Sequence, residues 1–169
     1  DKLDNVNFPR EGHLANVEYR VGRDGLGAST DYDQAVLNYV HAFTWGRNTL
    51  AGWVRGFSTL EGTAPLGARV RLGGFLRLSG LQEDQLSGQH AGLITLAYYR
   101  RIADIQFFKT YLGASLELGN VWQDSKDASF DNTITAGSVF LGLDTPIGPV
   151  YIAYGSADTD ENSLYIYVG

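Results

Sequence analysis

The chain has 169 residues, enough for one domain with a substantial core, and contains no cysteine and no methionine. Its net charge of −6 argues against a nucleic-acid surface. No apolar run approaches the roughly 18 residues that a membrane-spanning helix requires, so spanning by helices is excluded.

Apolar and polar residues alternate in eight segments, the pattern of strands with two chemically different faces. The first predicted strand, His13–Gly22, sets Ala15, Val17, Tyr19 and Val21 against Asn16, Glu18 and Arg20. A long connection, Arg23–Tyr32, leads to the second, Asp33–Trp45. There His41 intrudes on the row of Leu37, Tyr39 and Phe43, which places it near a strand end or at a bend. Gly46-Arg47 reads as a tight turn into the third strand, Asn48–Ser58, and Thr59–His90 is the longest connection. The fourth strand, Ala91–Arg101, is joined to the fifth, Thr110–Trp122, by Ile102–Lys109, longer than a tight turn should be. In the fifth, Leu112, Ala114, Leu116 and Leu118 oppose Gly113, Ser115, Glu117 and Gly119. The polar stretch Gln123–Asn132 precedes the sixth strand, Thr133–Thr145, where Val139, Leu141 and Leu143 oppose Ser138, Phe140, Gly142 and Asp144. Pro146-Ile147-Gly148 is a second tight turn before the seventh strand, Pro149–Ser156. Ala157–Asn162 leads to the eighth, Ser163–Gly169, whose Leu164, Ile166 and Val168 oppose two tyrosines.

Strands near ten residues long, joined by alternately short and long connections, are the mark of a transmembrane β-barrel. The expected fold is therefore all-β, an antiparallel transmembrane barrel of eight strands per chain in a single domain (residues 1–169), with a long loop between strands three and four. A charge at the bilayer midplane costs about 2–4 kcal/mol for Arg or Lys, so the charged rows should line a lumen and the apolar rows should meet lipid. Trp45, Trp122, Tyr98 and Tyr165 near strand ends fit interfacial girdles. The alternative is a soluble eight-stranded ligand-binding barrel of lipocalin type, with the apolar rows turned inward.

No catalytic constellation emerges. There is no Gly-x-Ser-x-Gly elbow, and the three histidines, His13, His41 and His90, fall in unrelated places, so neither an enzyme, a metal nor a cofactor is expected. The informative segment is the middle of the longest connection, Val70–Leu81, which is too apolar to stand free in water. It reads either as an extra strand or as an external loop folded back into the lumen. The second reading keeps the alternation of short and long connections.

Three segments, Leu72-Gly73-Gly74-Phe75-Leu76-Arg77-Leu78-Ser79-Gly80-Leu81, Tyr98-Tyr99-Arg100-Arg101 and Leu116-Glu117-Leu118-Gly119-Asn120-Val121-Trp122, resemble the bacterial surface antigen superfamily of outer-membrane barrels. Phe8-Pro9-Arg10-Glu11-Gly12, within the segment that begins at Asn5-Val6-Asn7, resembles the Phe-Pro-x-x-Gly that precedes a middle strand of those barrels. The tail, Thr145–Gly155 followed by Ser163–Gly169, is most similar to the patatin-like members, the type Vd secretion proteins. The resemblance implies a sixteen-stranded family barrel, of which this chain matches the last eight strands, with a role in translocating or assembling polypeptides in the bacterial outer membrane. It also implies that the long loop enters the lumen through Leu72, Gly73, Gly74, Phe75, Arg77, Ser79, Gly80 and Leu81 and meets an inward acid at Glu117. The chain departs from the family at the loop motif. Ser79-Gly80-Leu81 stands where many members carry Arg-Gly-aromatic, leaving Arg77 or Arg55 as candidates to pair with the acid. A second role, from another class, is an anchor for a patatin-like lipase domain absent from this chain.

An eight-stranded barrel is only wide enough for its own side chains. The eight strands therefore close alone with no room for the loop, or form half of a larger barrel, or pair with a second copy. The expected partners are outer-membrane lipid, a second copy completing a sixteen-stranded barrel, and a polypeptide substrate.

Overall fold

The computed structural model describes residues 2–5, 7–27, 30–105, 108–146 and 148–168. Val6, Ile147 and Gly169, which figure in the sequence reading, lie outside the described residues, as do Gln106 and Phe107. Among the described residues there are ten strands: β1 (Gly12–Gly22), β2 (Tyr32–Trp45), β3 (Asn48–Gly62), β4 (Val70–Leu72), β5 (Leu86–Gly88), β6 (His90–Ile105), β7 (Phe108–Trp122), β8 (Ile134–Thr145), β9 (Gly148–Ala157) and β10 (Asn162–Val168). Eight of them form one antiparallel sheet in the order β1-β2-β3-β6-β7-β8-β9-β10, with β1 and β10 as its edges. β4 and β5 pair only with each other, inside the connection between the third and fourth strands of that sheet. Among the described residues the only helical segments are three-residue 3-10 turns in the connections.

Each strand of the large sheet pairs with its sequence neighbour or, for β3 and β6, across the long insertion. The two-residue turn at Gly46-Arg47 is present, closed by Trp45 opposite Asn48. The connection expected over residues 102–109 is mostly strand: β6 runs to Ile105, which pairs with Phe108 of β7. A register shift between Arg101 and Ala103 leaves Ile102 as an extra residue. An extra residue reverses the facing of every side chain beyond it, which is why the alternation breaks after Arg101.

The two faces of the sheet differ in what covers them. One face carries Ala42, Ala51, Leu93, Ala97, Tyr99, Tyr111, Phe140 and Ala153, all buried. It is covered by the segment between β3 and β6 and by residues 2–11; we refer to it as the covered face. The opposite, bare face exposes Val17, Leu37, Val54, Ile94, Leu116 and Val139 along its middle. Leu112 is 54% exposed, Leu116 60%, Val139 58% and Leu141 37%, while Glu117 on the covered face is fully buried. The apolar rows thus point away from the packed side. Charged residues of the bare face sit near strand ends: Asp33 opposite Val21 and Glu61, and Arg100 opposite Asn48. His41 also lies on this face, exposed and stacked beside His13 at 6.4 Å.

Aromatic side chains cluster near both ends of the bare face. Phe43, Trp45 and Tyr98 form a row beside the Gly46-Arg47 turn, with ring spacings of 5.8 and 6.3 Å, and Tyr98 donates to Asn48 Oδ1. At the other end Trp122 Nε1 donates to Asn132 Oδ1, and the Tyr154 hydroxyl to Asn162 Oδ1. Tyr165, expected in such a row, belongs instead to the covered face, as its odd position in β10 requires.

Residues 2–11 close over the covered face at the tight-turn end. Asp4 accepts from the Arg10 and Glu11 amides, and Asn5 from the Asn7 and Phe8 amides, so two side chains shape the turn. Phe8 is thereby inserted between Tyr111 and Tyr151, with centroids at 4.7 and 4.8 Å, while Tyr99 meets its edge. The Tyr151 hydroxyl donates to the Asn7 carbonyl and the Tyr99 hydroxyl to that of Pro9, so the backbone on either side of the ring is held too.

Candidate functional site

The segment 63–89 is positioned from its base upward. The Thr59 amide donates to the Gln89 carbonyl, and the Gln89 side chain exchanges two hydrogen bonds with Ala64, which clamps the two ends together. β4 and β5 then carry the chain over the sheet as a short ribbon. Leu72, Leu78 and Leu81 drop into a cluster with Ala91, Leu93, Ala136 and Ala157 of β6, β8 and β9. Burying a leucine fully is worth about 1.5–3 kcal/mol, so these three account for much of the seating of the segment. Neither sequence alternative describes it fully. It adds no strand to the large sheet, and it contains a two-stranded ribbon of its own.

At the tip, residues 73–82 fold into consecutive tight turns: the Gly73 amide donates to Arg77 O, the Arg77 amide to Gly74 O and the Leu81 amide to Leu78 O. Leu76 and Leu78 adopt φ of 58° and 76°, a conformation that bulky side chains disfavour. Ser79 stabilises the turn from within, its hydroxyl accepting from the Leu76 amide. Phe75 leaves the tip sideways and packs on Phe140, Tyr151 and Tyr165.

Glu117 is the anchor. Its Oε2 accepts from the amides of Leu78 at 2.6 Å and Ser79 at 2.7 Å. Its Oε1 accepts from the hydroxyls of Ser79 at 2.7 Å and Ser115 at 2.6 Å. Ser115 is in turn bonded to Ser138 on β8. A fully buried carboxyl is thus surrounded by four neutral donors, which is how a protein keeps such a group without a counter-ion. Arg77 and Arg55 do not take the pairing role considered for them. Arg77 pairs with Asp84 at 3.4 Å and donates to Arg71 O, and among the described residues no cation lies within ion-pair distance of Glu117. The reason lies in the tip itself: its turns aim two main-chain amides at the acid, and with the hydroxyls of Ser79 and Ser115 they occupy both carboxylate oxygens.

Comparison with protein-family models and with curated proteins finds no match.

The tip reaches beyond Glu117 to the last two strands. The Gly80 amide donates to the Tyr165 hydroxyl, which itself donates to Leu81 O, and Ser163 Oγ donates to Gly80 O. Here two glycines meet. Gly80 has φ of 111°, and a Cβ on it would come within 2.6 to 2.8 Å of Ala157 N, Ser156 C and Glu161 O. A Cβ on Gly155 would lie 2.6 Å from Ser79 Cβ and 2.7 Å from Gly80 N. Thr95 adds a hydrogen bond to Leu76 O, and Gln85 bonds Glu161 beyond the tip.

All nine residues singled out from the sequence thus belong to one docked assembly: Leu72, Gly73, Gly74, Phe75, Arg77, Ser79, Gly80 and Leu81 from the segment, and Glu117 from the sheet. Those that sequence reading missed are Thr95, Ser115, Gly155, Ser163 and Tyr165. A signal for them existed, because each lies on the same period-2 row as the buried or half-buried side chains of its own strand. The chemistry present is that of a lock. Hydroxyls, amides and one acid are consumed by one another.

Proposed function

We propose that this chain is an outer-membrane β-barrel subunit of the bacterial surface antigen type, with a role in polypeptide translocation or assembly. In this reading the bare face meets lipid, the covered face lines a lumen, and the segment 63–89 is a plug held by Glu117. The observation that carries it is the bare face itself. A row of Val, Leu and Ile across eight strands, flanked by aromatic clusters whose polar atoms bond strand-end residues, is far larger than the apolar patches soluble proteins expose. A soluble ligand-binding barrel would turn that face inward. Tyr and Trp with an apolar body and a satisfied polar tip suit a membrane–water boundary.

Two open edges cannot face hydrocarbon, because unpaired backbone groups there cost several kcal/mol each. β1 and β10 run in opposite directions, so two copies related by a two-fold axis would pair them antiparallel at both seams and close sixteen strands. We propose that closure. Its test is the mass of the folded species after correction for bound detergent: two chains per particle are expected, and a single-chain particle would refute it. For the plug, deleting residues 73–81 should raise conductance in planar bilayers. Conductance equal to that of the intact chain would rule out a plug.

A further inference from the structure

The segment 63–89 lies towards β6–β10 and leaves a concavity between itself and β1–β3. Five of the chain's 13 basic residues line two adjoining parts of this space, about 500 and 160 Å³ in volume, which share Arg71 and Arg77. Arg20 comes from β1, Arg55 from β3, and Arg69, Arg71 and Arg77 from the segment. In a chain of net charge −6 such convergence is not the average distribution of charge. Two of the five are matched: Arg20 by Glu18 at 2.5 Å and Arg77 by Asp84 at 3.4 Å. Arg69 spends its Nε on Ala64 O. Among the described residues, Arg55, Arg69 and Arg71 have no carboxylate within ion-pair distance. Glu117 attracts Arg55 through its charge but makes no ion-pair contact with any of the three, its oxygens being bonded to Leu78, Ser79 and Ser115.

Guanidinium groups gathered in a concave, partly enclosed space repel one another and focus a positive potential on its centre. Each also presents a planar fork of donors that matches the oxygens of a phosphoryl group. Gln34 at the same wall has its amide nitrogen fixed on Thr59 Oγ1 and Ala68 O, so it orders the wall rather than neutralising it. We propose that this concavity binds a multiply charged oxyanion of the di- or triphosphate class. Three unmatched guanidiniums call for more than one negative charge on the ligand. The proposal holds whether or not the bare face meets lipid, because it needs only the folded chain.

The test is a calorimetric titration of inorganic pyrophosphate into the full chain in detergent micelles at about 0.1 M salt, where charges more than roughly 10 Å apart are screened. Saturable binding is expected, weakened roughly tenfold or more by Arg71→Gln, since the substitution removes a charge-assisted hydrogen bond to the anion. Arg71 is exposed, so its substitution leaves the fold intact. Arg55→Gln should weaken binding similarly, and Arg100→Gln on the bare face should leave it unchanged. Absence of saturable binding, or equal affinity in the Arg71→Gln variant, would overturn the proposal. The membrane reading is decided separately by conductance, so the two can fail independently.

Discussion

Glu117 illustrates how a single side chain sets the position of a long segment. Replacing it with alanine leaves the buried amides of Leu78 and Ser79 without acceptors, at about 1–3 kcal/mol each. Glu117→Gln should be much milder: its carbonyl oxygen can still receive both amides, and its NH2 can donate to the rotatable hydroxyls of Ser79 and Ser115. Limited proteolysis within residues 73–85 should therefore accelerate strongly in Glu117→Ala and only slightly in Glu117→Gln. Equal rates in the two variants would show that the acid is not the anchor. Gly155→Ser should undock the tip as effectively as Glu117→Ala, since any Cβ there meets Ser79. The position of Glu117 was legible in the sequence because Ser115 and Gly119 share its row. Its partners were not, since a main-chain amide carries no side-chain signature and the family resemblance implies an arginine in that place. Tyr165 was misplaced for a different reason: an aromatic near a strand end suits a girdle, but its odd position in β10 puts it on the covered face.

Among the elements, residues 2–11 are held chiefly by one ring. Phe8→Ala removes an aromatic side chain stacked on two tyrosines, a loss of about 3–5 kcal/mol for a buried Phe. Trypsin cleavage after Arg10 should then become rapid in the folded protein while the sheet itself survives. Unchanged cleavage would mean that the Asp4 and Asn5 turns suffice without Phe8. Strand order and the two-residue turn at Gly46-Arg47 could be read from period-2 alternation and turn composition, and most strand ends to within a few residues. The extension of β6 past Arg101 could not, because the bulge at Ile102 breaks the very periodicity by which strands are recognised. β4 and β5 were likewise hidden: three residues are too few to show a period.

For the whole molecule, the sign of a surface substitution separates the proposed environments. Leu116→Arg lies in the middle of the bare face, where a lipid-facing arginine costs about 2–4 kcal/mol. Folding into lipid vesicles, followed by urea titration, should show that loss. In a soluble protein the same exposed change would be nearly neutral, so an unaltered midpoint would count against the membrane reading. One further property follows from Leu76 and Leu78, which hold positive φ values in the seated tip. Each such residue costs about 1–2 kcal/mol relative to an ordinary backbone, energy returned the moment Glu117 lets go. The freed turn would relax elsewhere and no longer fit its seat, so intermediate positions are poorly populated. The segment should behave as a two-position catch, fully engaged or fully released.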